Sequence, residues 1–285
     1  MKKKSVLCMI LFVVMVLAVV TVVTVGVLTY AHYSSVNELC ELIKAGDDAQ
    51  AIAKIETMQS VNSFSVPIWL QPIATMIEVP IKTPLEEACL WGRVEVVEAL
   101  LEHGADPNLY MEDSWTPIEA TFVYNGNNER LQIAQLLVDH GADIDLYASG
   151  ESALFRELSR VMYGRDVTKA ERDCSGECIA FLLEHGATPV NEKEETIVHY
   201  LAGAEDAQLL QNFINDHQKY WNACDRHGKT PLMWAASLGS IECVQYLIES
   251  GADTALTSAE GKSAYDYAVE KGYEDIAQLL ENQQT

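Results

Sequence analysis

Residues 221–253 read WNACDRHGKTPLMWAASLGSIECVQYLIESGAD, and this stretch decides the fold of the chain. A turn at Gly228 leads into Thr230-Pro231-Leu232, where threonine can cap a helix and proline is tolerated at the first helical position. Gly239 interrupts the apolar pattern, a second apolar run follows, and Gly251-Ala252-Asp253 closes the unit. Two short helices joined by a turn cannot bury their apolar faces alone, so we expect the unit to recur.

The same unit recurs along the chain. Thr83-Pro84-Leu85 leads to Gly104-Ala105-Asp106, Thr116-Pro117-Ile118 leads to Gly141-Ala142-Asp143, and a further unit ends at Gly186-Ala187. The spacing from Asp106 to Asp143 is close to the period of roughly 33 residues that ankyrin repeats have. In these motifs the chain resembles the ankyrin-repeat proteins. The resemblance implies an all-α solenoid of about seven helix-pair units, counting both caps.

The ankyrin-repeat domain is predicted to span residues 34–285. Residues 34–62 lack the Thr-Pro-Leu start and are expected to form the amino-terminal cap, because terminal repeats are usually atypical. Residues 83–280 are expected to hold the other repeats and the carboxy-terminal cap. Between them lies a long apolar linker, residues 63–82, which either packs over the cap as extra core or is offered to a partner.

The chain is strongly acidic. Its formal net charge is -23, and Lys2, Lys3 and Lys4 precede an apolar segment, so the remainder is more acidic still. Such a surface repels nucleic acid and anionic lipid headgroups and attracts basic molecules. The charge therefore predicts a basic protein partner and argues against nucleic-acid binding.

An apolar segment near the amino terminus predicts a membrane anchor. Residues 5–30 contain no charged side chain, and their length exceeds both the roughly 20 residues that span a bilayer and the roughly 7–15 of a signal-peptide core. Basic residues lie only before this segment, so residues 1–4 are expected in the cytoplasm and the repeats across the membrane. The alternative is a long cleaved signal peptide with an imperfect site at Thr29-Tyr30-Ala31, and both alternatives export the repeats.

The cysteines of the exported part are expected to be buried thiols. Cys178 and Cys243 each open an apolar run at the first core position of a second helix, and Cys89 replaces a small core alanine. An oxidising compartment permits disulfides, and a bond between Cys174 and Cys178 is the alternative. The remaining cysteines of this part are Cys40 and Cys224.

No motif for catalysis or metal binding is evident. The sequence lacks a Ser-His-Asp order, a phosphate-binding glycine loop and a paired-cysteine zinc pattern. His103, His140 and His185 each precede Gly-Ala, which places them on the last turn of a second helix, where the helix dipole favours a histidine. His199 occupies the position that ankyrin repeats give to the histidine of their TPLH start. We therefore expect no enzymatic activity, no metal and no cofactor.

The resemblance implies that the chain binds a protein through a concave face built from finger turns and first helices. First-helix positions expected to face this groove include Glu86, Glu119, Phe155, His199, Trp234 and Asp266. Aromatic anchors within an acidic rim are typical of an interface hot spot. Trp234 has an alternative role, since it can pack within its own repeat. The predicted partner-binding residues are Tyr110, Glu112, Asp113, Trp115, Tyr147, Arg226, His227 and Trp234.

The topology also resembles that of periplasmic ankyrin-repeat immunity proteins, which bind and block a toxic enzyme. That resemblance implies a single-pass inner-membrane protein with its carboxy-terminal domain in the periplasm and a basic secreted effector enzyme as its partner. Negative charge on the repeats would speed the encounter with such an enzyme. The alternative function is that of a non-inhibitory envelope scaffold or a stress-related periplasmic ankyrin protein.

Overall fold

The fold is all-helical, as the sequence predicts. In a computed structural model, the residues that can be described are 34–62, 82–110, 114–123, 128–148, 150–163, 169–204, 207–214 and 219–283. These ranges hold fourteen helices and no β-strand. The predicted anchor, nearly all of the apolar linker, and the site residues Glu112 and Asp113 lie outside the described residues.

The helices form seven pairs, which matches the predicted number of units. The first pair is α1 (34–45) and α2 (Asp48–Thr57), and six further pairs follow in chain order. The later helices are α3 (Pro84–Leu90), α4 (Val94–Glu102), α5 (Pro117–Val123), α6 (Asn128–Asp139), α7 (Ala153–Tyr163), α8 (Lys169–Glu184), α9 (Ile197–Gly203), α10 (Ala207–Ile214), α11 (Pro231–Leu238), α12 (Ile241–Glu249), α13 (Ala264–Lys271) and α14 (Glu274–Glu281).

The pairs stack in two layers around one continuous core. From α3 onward each first helix packs on the next first helix, and second helices such as α4, α6 and α8 pack on one another in the same order. Leu100, Leu137, Leu182 and Leu247 stand at the same position of four second helices, and all four are fully buried. Each unit therefore buries its apolar face on its neighbours, as a solenoid requires.

The recurring motifs mark where helices begin and end. Thr83 and Thr230 each accept a hydrogen bond from the backbone N–H three residues on, at 3.0 and 3.4 Å, which caps α3 and α11. Gly104 has a φ of +80° and follows α4, so it supplies the left-handed residue that ends a second helix.

Three histidines close second helices in the same way. Nδ1 of His103, His140 and His185 donates to the carbonyl four residues earlier, at 2.8 Å in each case. Each of these carbonyls also accepts from the backbone N–H of the same histidine, at 3.1 to 3.2 Å, so each histidine binds the last turn of its helix through two hydrogen bonds. The predicted position of the histidines on the last turn is therefore confirmed. In the described part of the chain, no cluster of three or more His, Cys, Asp or Glu side chains is arranged to hold a metal ion.

The cysteines in the described ranges are thiols that form no disulfide. Cys40, Cys89, Cys174, Cys178 and Cys243 are buried, as predicted. Cys224 is exposed, contrary to the prediction, because it lies in a loop outside the helices. Burial raises the pKa of the Cys89 thiol to about 12. No disulfide joins Cys174 to Cys178.

Among the described residues, no helix is long and apolar enough to cross a bilayer. Residues 5–30, which the sequence predicts to be the anchor, lie outside the described residues. The anchor therefore stays a prediction.

Candidate protein-binding surface

Three successive finger turns share one backbone design. In the turns 191–195, 225–229 and 258–262, the N–H of the first residue donates to the carbonyl of the fifth, at 3.0, 2.9 and 2.9 Å. The fourth residue of each turn has a positive φ: 62° at Glu194, 72° at Gly228 and 73° at Gly261. Glycine adopts this conformation without strain, whereas Glu194 adopts it at a cost of about 1 kcal/mol.

Backbone hydrogen bonds join the three turns into one surface. Arg226 N–H donates to the Lys193 carbonyl at 3.1 Å, and Ala259 N–H donates to the His227 carbonyl at 2.9 Å. The turns are therefore held in a fixed arrangement. Such an arrangement suits a binding surface, because the turns lose little conformational entropy when a partner docks. We call Tyr147 and the turns 191–195, 225–229 and 258–262 the finger surface.

The structure brings three of the predicted site residues together around Asp225. Arg226 and His227 are exposed on the turn, and Arg226 Nε donates to His227 Nε2 at 3.2 Å. Asp225 is buried. Its Oδ1 accepts from the N–H groups of His227 and Lys229 at 2.8 and 2.9 Å, and its Oδ2 accepts from Trp234 Nε1 at 3.0 Å. Asp225 thus fixes the shape of the turn that presents Arg226 and His227.

Trp234 supports this surface from below. Its ring lies 5.4 Å from the His199 ring and 5.7 Å from the Tyr200 ring, so it packs on the preceding unit. Its indole N–H is committed to Asp225. The sequence left open packing within its own repeat, but the ring packs on the preceding unit and only the indole N–H binds within its own unit, while the side chain remains half-exposed.

A pocket of about 240 Å³ lies where Tyr147 meets the first of the three turns. Tyr147 is half-buried, and its hydroxyl donates to the Glu192 carboxylate, which raises the pKa of the phenol. The lining also includes Asp145, Glu151, Phe155 and Lys193. We call this the acidic pocket, because three carboxylates and one ammonium group line it.

Tyr110 and Trp115 lie at a separate place, earlier in the array. Tyr110 is exposed over 39% of its surface. Trp115 is half-buried, and Lys82 Nζ lies 4.8 Å from its ring centroid. Glu112 and Asp113, which stand between them in the sequence, are outside the described ranges. Their predicted role stays a prediction.

Several first-helix positions expected to face the groove are buried instead. Glu86, Glu119 and His199 are fully buried, and Phe155 is nearly so. Each of the first three stands three residues after the capping threonine and binds the turn of the next unit: Glu119 accepts from Ala148 N–H at 2.9 Å, and His199 Nε2 donates to the Lys229 carbonyl at 2.9 Å. A side chain at this position therefore fixes the finger turn of the next unit. Its hydrogen-bond partner lies about 30 residues later in the sequence, and the repeat pattern does not predict that contact.

Glu86 is the member of this set whose charge is poorly compensated. Ser114 Oγ donates to its Oε1 at 2.5 Å, but Oε2 has no hydrogen-bond partner among the described residues. Burial raises the pKa of the Glu86 carboxyl from 4.5 to about 7, although the bonds from Ser114 and Trp115 oppose that rise.

We expect the substitution Glu86→Gln to stabilise the protein at pH 8 by about 2 kcal/mol and to have little effect at pH 4.5. The folded protein holds the Glu86 proton up to about pH 7, whereas the unfolded chain loses it near pH 4.5. The free energy of unfolding therefore falls as pH rises between these values, and glutamine removes that loss. Urea unfolding followed by circular dichroism at both pH values measures the difference.

Glu119→Gln is the matched control, because Glu119 has the same repeat position and the opposite environment. Its Oε2 accepts from the N–H groups of Thr116 and Ala148, both at 2.9 Å, and its Oε1 lies 3.5 Å from Arg156 Nη2. Glutamine there weakens these contacts, so this variant should be less stable at pH 8. Equal effects at the two positions would contradict the role of local charge.

The charges of the finger surface are mixed, which corrects the expected acidic rim. The turn 191–195 carries three glutamates and one lysine, whereas the turn 225–229 carries Asp225, Arg226 and Lys229. Negative charge is therefore concentrated at the acidic pocket.

The sequence analysis did not predict three residues of this surface: Glu151, Glu192 and Asp225. Asp225 could have been recognised from the sequence. An Asp side chain often accepts from the backbone N–H two residues later in a tight turn, and a glycine three residues later, Gly228, also indicates a turn.

Two family models match parts of the chain. The model for three copies of the ankyrin repeat matches residues 198–284, and the model for a single ankyrin repeat matches residues 82–111. Among solved structures, the ankyrin repeat domain of human ASB11 superposes with a TM-score of 0.61 at 23% identity, covering 85% of this chain and 96% of that one. That likeness shows the fold alone.

Curated relatives match this chain over part of their length. Ankyrin repeat family A protein 2 of Mus musculus is 39% identical over 77 residues, covering 27% of this chain and 24% of that protein. NAD-capped RNA hydrolase NUDT12 of Homo sapiens is 32% identical over 90 residues, covering 31% and 20%. Ankyrin repeat protein nuc-2 of Neurospora crassa is 26% identical over 209 residues, covering 70% and 17%. The chain spans about a quarter or less of the length of each. The chain therefore contains ankyrin repeats, matched over residues 82–111 and 198–284, and its stacked helix pairs share the fold of an ankyrin repeat domain. Such repeats suggest protein–protein binding.

Proposed function

We propose that this chain binds a basic protein through its finger surface and inhibits it, acting as a membrane-anchored, exported immunity protein against a toxic effector enzyme. The acidic pocket carries the proposal. Its volume of about 240 Å³ accommodates a single long side chain, and Asp145, Glu151 and Glu192 place carboxylates around it. An arginine or lysine of a partner is the side chain that such a pocket attracts.

The surroundings of the pocket suit a protein ligand. Tyr147 forms one wall and can stack on a guanidinium group, while Arg226 and His227 lie exposed on the next turn. An aromatic anchor beside a desolvated charge is the arrangement that concentrates binding energy in interfaces. Lys193 at the rim would repel a partner whose basic side chain lies beside the rim instead of inside the pocket.

The location is inferred from the amino-terminal segment. Residues 5–30 are uncharged and follow three lysines, which supports a single-pass anchor in the inner membrane with the repeats in the periplasm. In that compartment an acidic array meets secreted proteins before they reach their targets, and electrostatic attraction speeds the encounter with a basic one. The proposal gives the chain itself no catalytic role, no metal and no cofactor.

The test is affinity purification of the full chain from its native membranes, with and without the substitutions Glu151→Gln and Glu192→Gln. We expect one basic protein at stoichiometric yield with the unaltered chain. We expect about tenfold less with the double variant, because a buried interfacial charge would lose its partners. The matched control removes the same charge from α12, with Glu242→Gln and Glu249→Gln, both of which are exposed.

Each outcome decides a separate point. Failure to recover any stoichiometric protein would rule out the proposed function. Equal recovery by the pocket variant and the unaltered chain would move the contact away from the acidic pocket. Recovery of an enzyme whose activity is unchanged in the complex would favour the envelope scaffold over the inhibitor.

A further inference from the structure

A second concave surface lies on the second-helix layer, away from the fingers. Helices α4, α6 and α8 border a shallow, open groove of about 700 Å³. Its floor and walls are apolar side chains that remain partly exposed: Val94, Leu131, Leu136, Ala180 and Phe181. No residue of the finger surface lines it.

The groove follows from residue choice at equivalent repeat positions. Ala180 of α8 stands where α6 has Gln135 and α4 has Glu98, so a small side chain replaces a long polar one. Phe181, the next residue, is only half-buried, and its ring stacks on His185 with 4.1 Å between centroids. A small residue beside a large aromatic one leaves room between α6 and α8.

The rim of the groove is acidic. Glu98, Glu177 and Glu184 line it, and all three are exposed. Among the described side chains of α4, α6 and α8, the basic one is Arg130, which is buried against Glu157 at 2.9 Å. A negative rim of this kind attracts a basic molecule and repels a second copy of a chain whose net charge is -23.

We infer that this groove binds an amphipathic helix with a basic polar face, contributed by a partner protein. Apolar side chains at helical spacing would enter between α6 and α8, while lysine or arginine on the flanks would meet Glu98, Glu177 and Glu184. Helix-in-groove docking uses these two elements, an apolar channel and charged edges.

The probe is a fluorescein-labelled synthetic peptide of about four helical turns, with leucine at helical spacing on one face and lysine on the other. A peptide with glutamate in place of lysine, and one with the lysine peptide's composition in scrambled order, are the peptide controls. The full chain is held in phosphatidylcholine nanodiscs, and binding to empty nanodiscs is subtracted. Fluorescence anisotropy at physiological salt then gives the dissociation constant.

The protein variants separate the groove from general charge attraction. We expect the triple change Glu98→Gln, Glu177→Gln and Glu184→Gln to weaken lysine-peptide binding about tenfold, as for three exposed ion pairs. The control removes three exposed carboxylates from second helices of later units, with Glu242→Gln, Glu249→Gln and Glu274→Gln, and should change binding less than about twofold. Gln135→Lys in the groove should weaken binding, whereas Gln245→Lys at the equivalent position of α12 should not.

Several results would overturn the inference. Equal losses in the two triple variants would show non-specific attraction, and equal binding of the scrambled peptide would exclude a helical ligand. A dimer of the chain that Gln135→Lys dissociates in ultracentrifugation would identify a second copy as the occupant. The double variant Glu151→Gln with Glu192→Gln should leave peptide binding unchanged. The proposed binding at the acidic pocket and the inferred binding at the groove can therefore be tested independently.

Discussion

Replacing Glu157 by leucine is expected to lower the free energy of unfolding by about 3–5 kcal/mol, the largest effect of any substitution considered for this chain. Glu157 of α7 lies 2.9 Å from Arg130 Nη1 and 3.0 Å from Arg160 Nη2. The Glu157 side chain is 0% exposed and that of Arg130 is 2% exposed. Without Glu157, Arg130 keeps only its bond to Cys174 Sγ at 3.1 Å among the contacts described, so a buried charge loses its counter-ion.

Two matched variants test this explanation. The double change Arg130→Leu with Glu157→Leu removes both charges and should recover most of the loss, because a buried ion pair is often no more stabilising than apolar side chains of similar size. Glu270→Leu removes an exposed carboxylate that lies 2.7 Å from Lys262 Nζ and should cost less than about 1 kcal/mol. Chemical denaturation measures all four proteins. A double variant as unstable as Glu157→Leu alone would show that lost packing, not the stranded charge, causes the effect.

Substituting alanine for Gly228 is expected to cost about 3 kcal/mol, whereas the same change at Gly261 should cost about 1 kcal/mol. The two glycines occupy the same turn position and have nearly the same φ, 72° and 73°. They differ in surroundings. A Cβ at Gly228 would lie 2.7 Å from Ala259 N, whereas a Cβ at Gly261 would have no atom within 4 Å. Ala259 N–H is the group that joins two turns, so the clash would force the finger surface apart.

Thermal unfolding of the two variants, followed by calorimetry, compares these costs. A smaller loss for Gly228→Ala than for Gly261→Ala would show that the turns are not packed on one another as described. A reduction in partner recovery by Gly228→Ala, beyond its effect on folded yield, would in addition link turn spacing to binding.

The fold could be predicted because its signals are local and repeated. Thr83 and Thr230 cap helices through bonds that reach only three residues along the chain, and Gly104 ends a helix through its own backbone conformation. Each of these residues can be recognised within its own unit. Repetition then supplies the stacking, since a face that is apolar in every unit must be buried between units.

The candidate site was less accessible to prediction because its contacts cross units. Arg226 and His227 were found from turn position alone, and the structure leaves both exposed. Glu192 was missed because its partner, Tyr147, lies 45 residues earlier in the sequence. The repeat position of Glu86 predicts that it faces the groove, but its carboxyl is buried and accepts a hydrogen bond from Ser114 of the next unit. The internal contacts of such residues depend on which neighbour the stack provides.

The distribution of thiols has a consequence for the chemistry of the chain. Burial raises the pKa of Cys40, Cys89 and Cys178 to about 12, so these sulfurs stay protonated and shielded from oxidants at neutral pH. Cys224 is the exposed thiol of the described residues, and it directly precedes Asp225. An environmentally sensitive dye attached there would sit beside the turn that presents Arg226 and His227. The chain thus carries a natural attachment point for an optical reporter of docking.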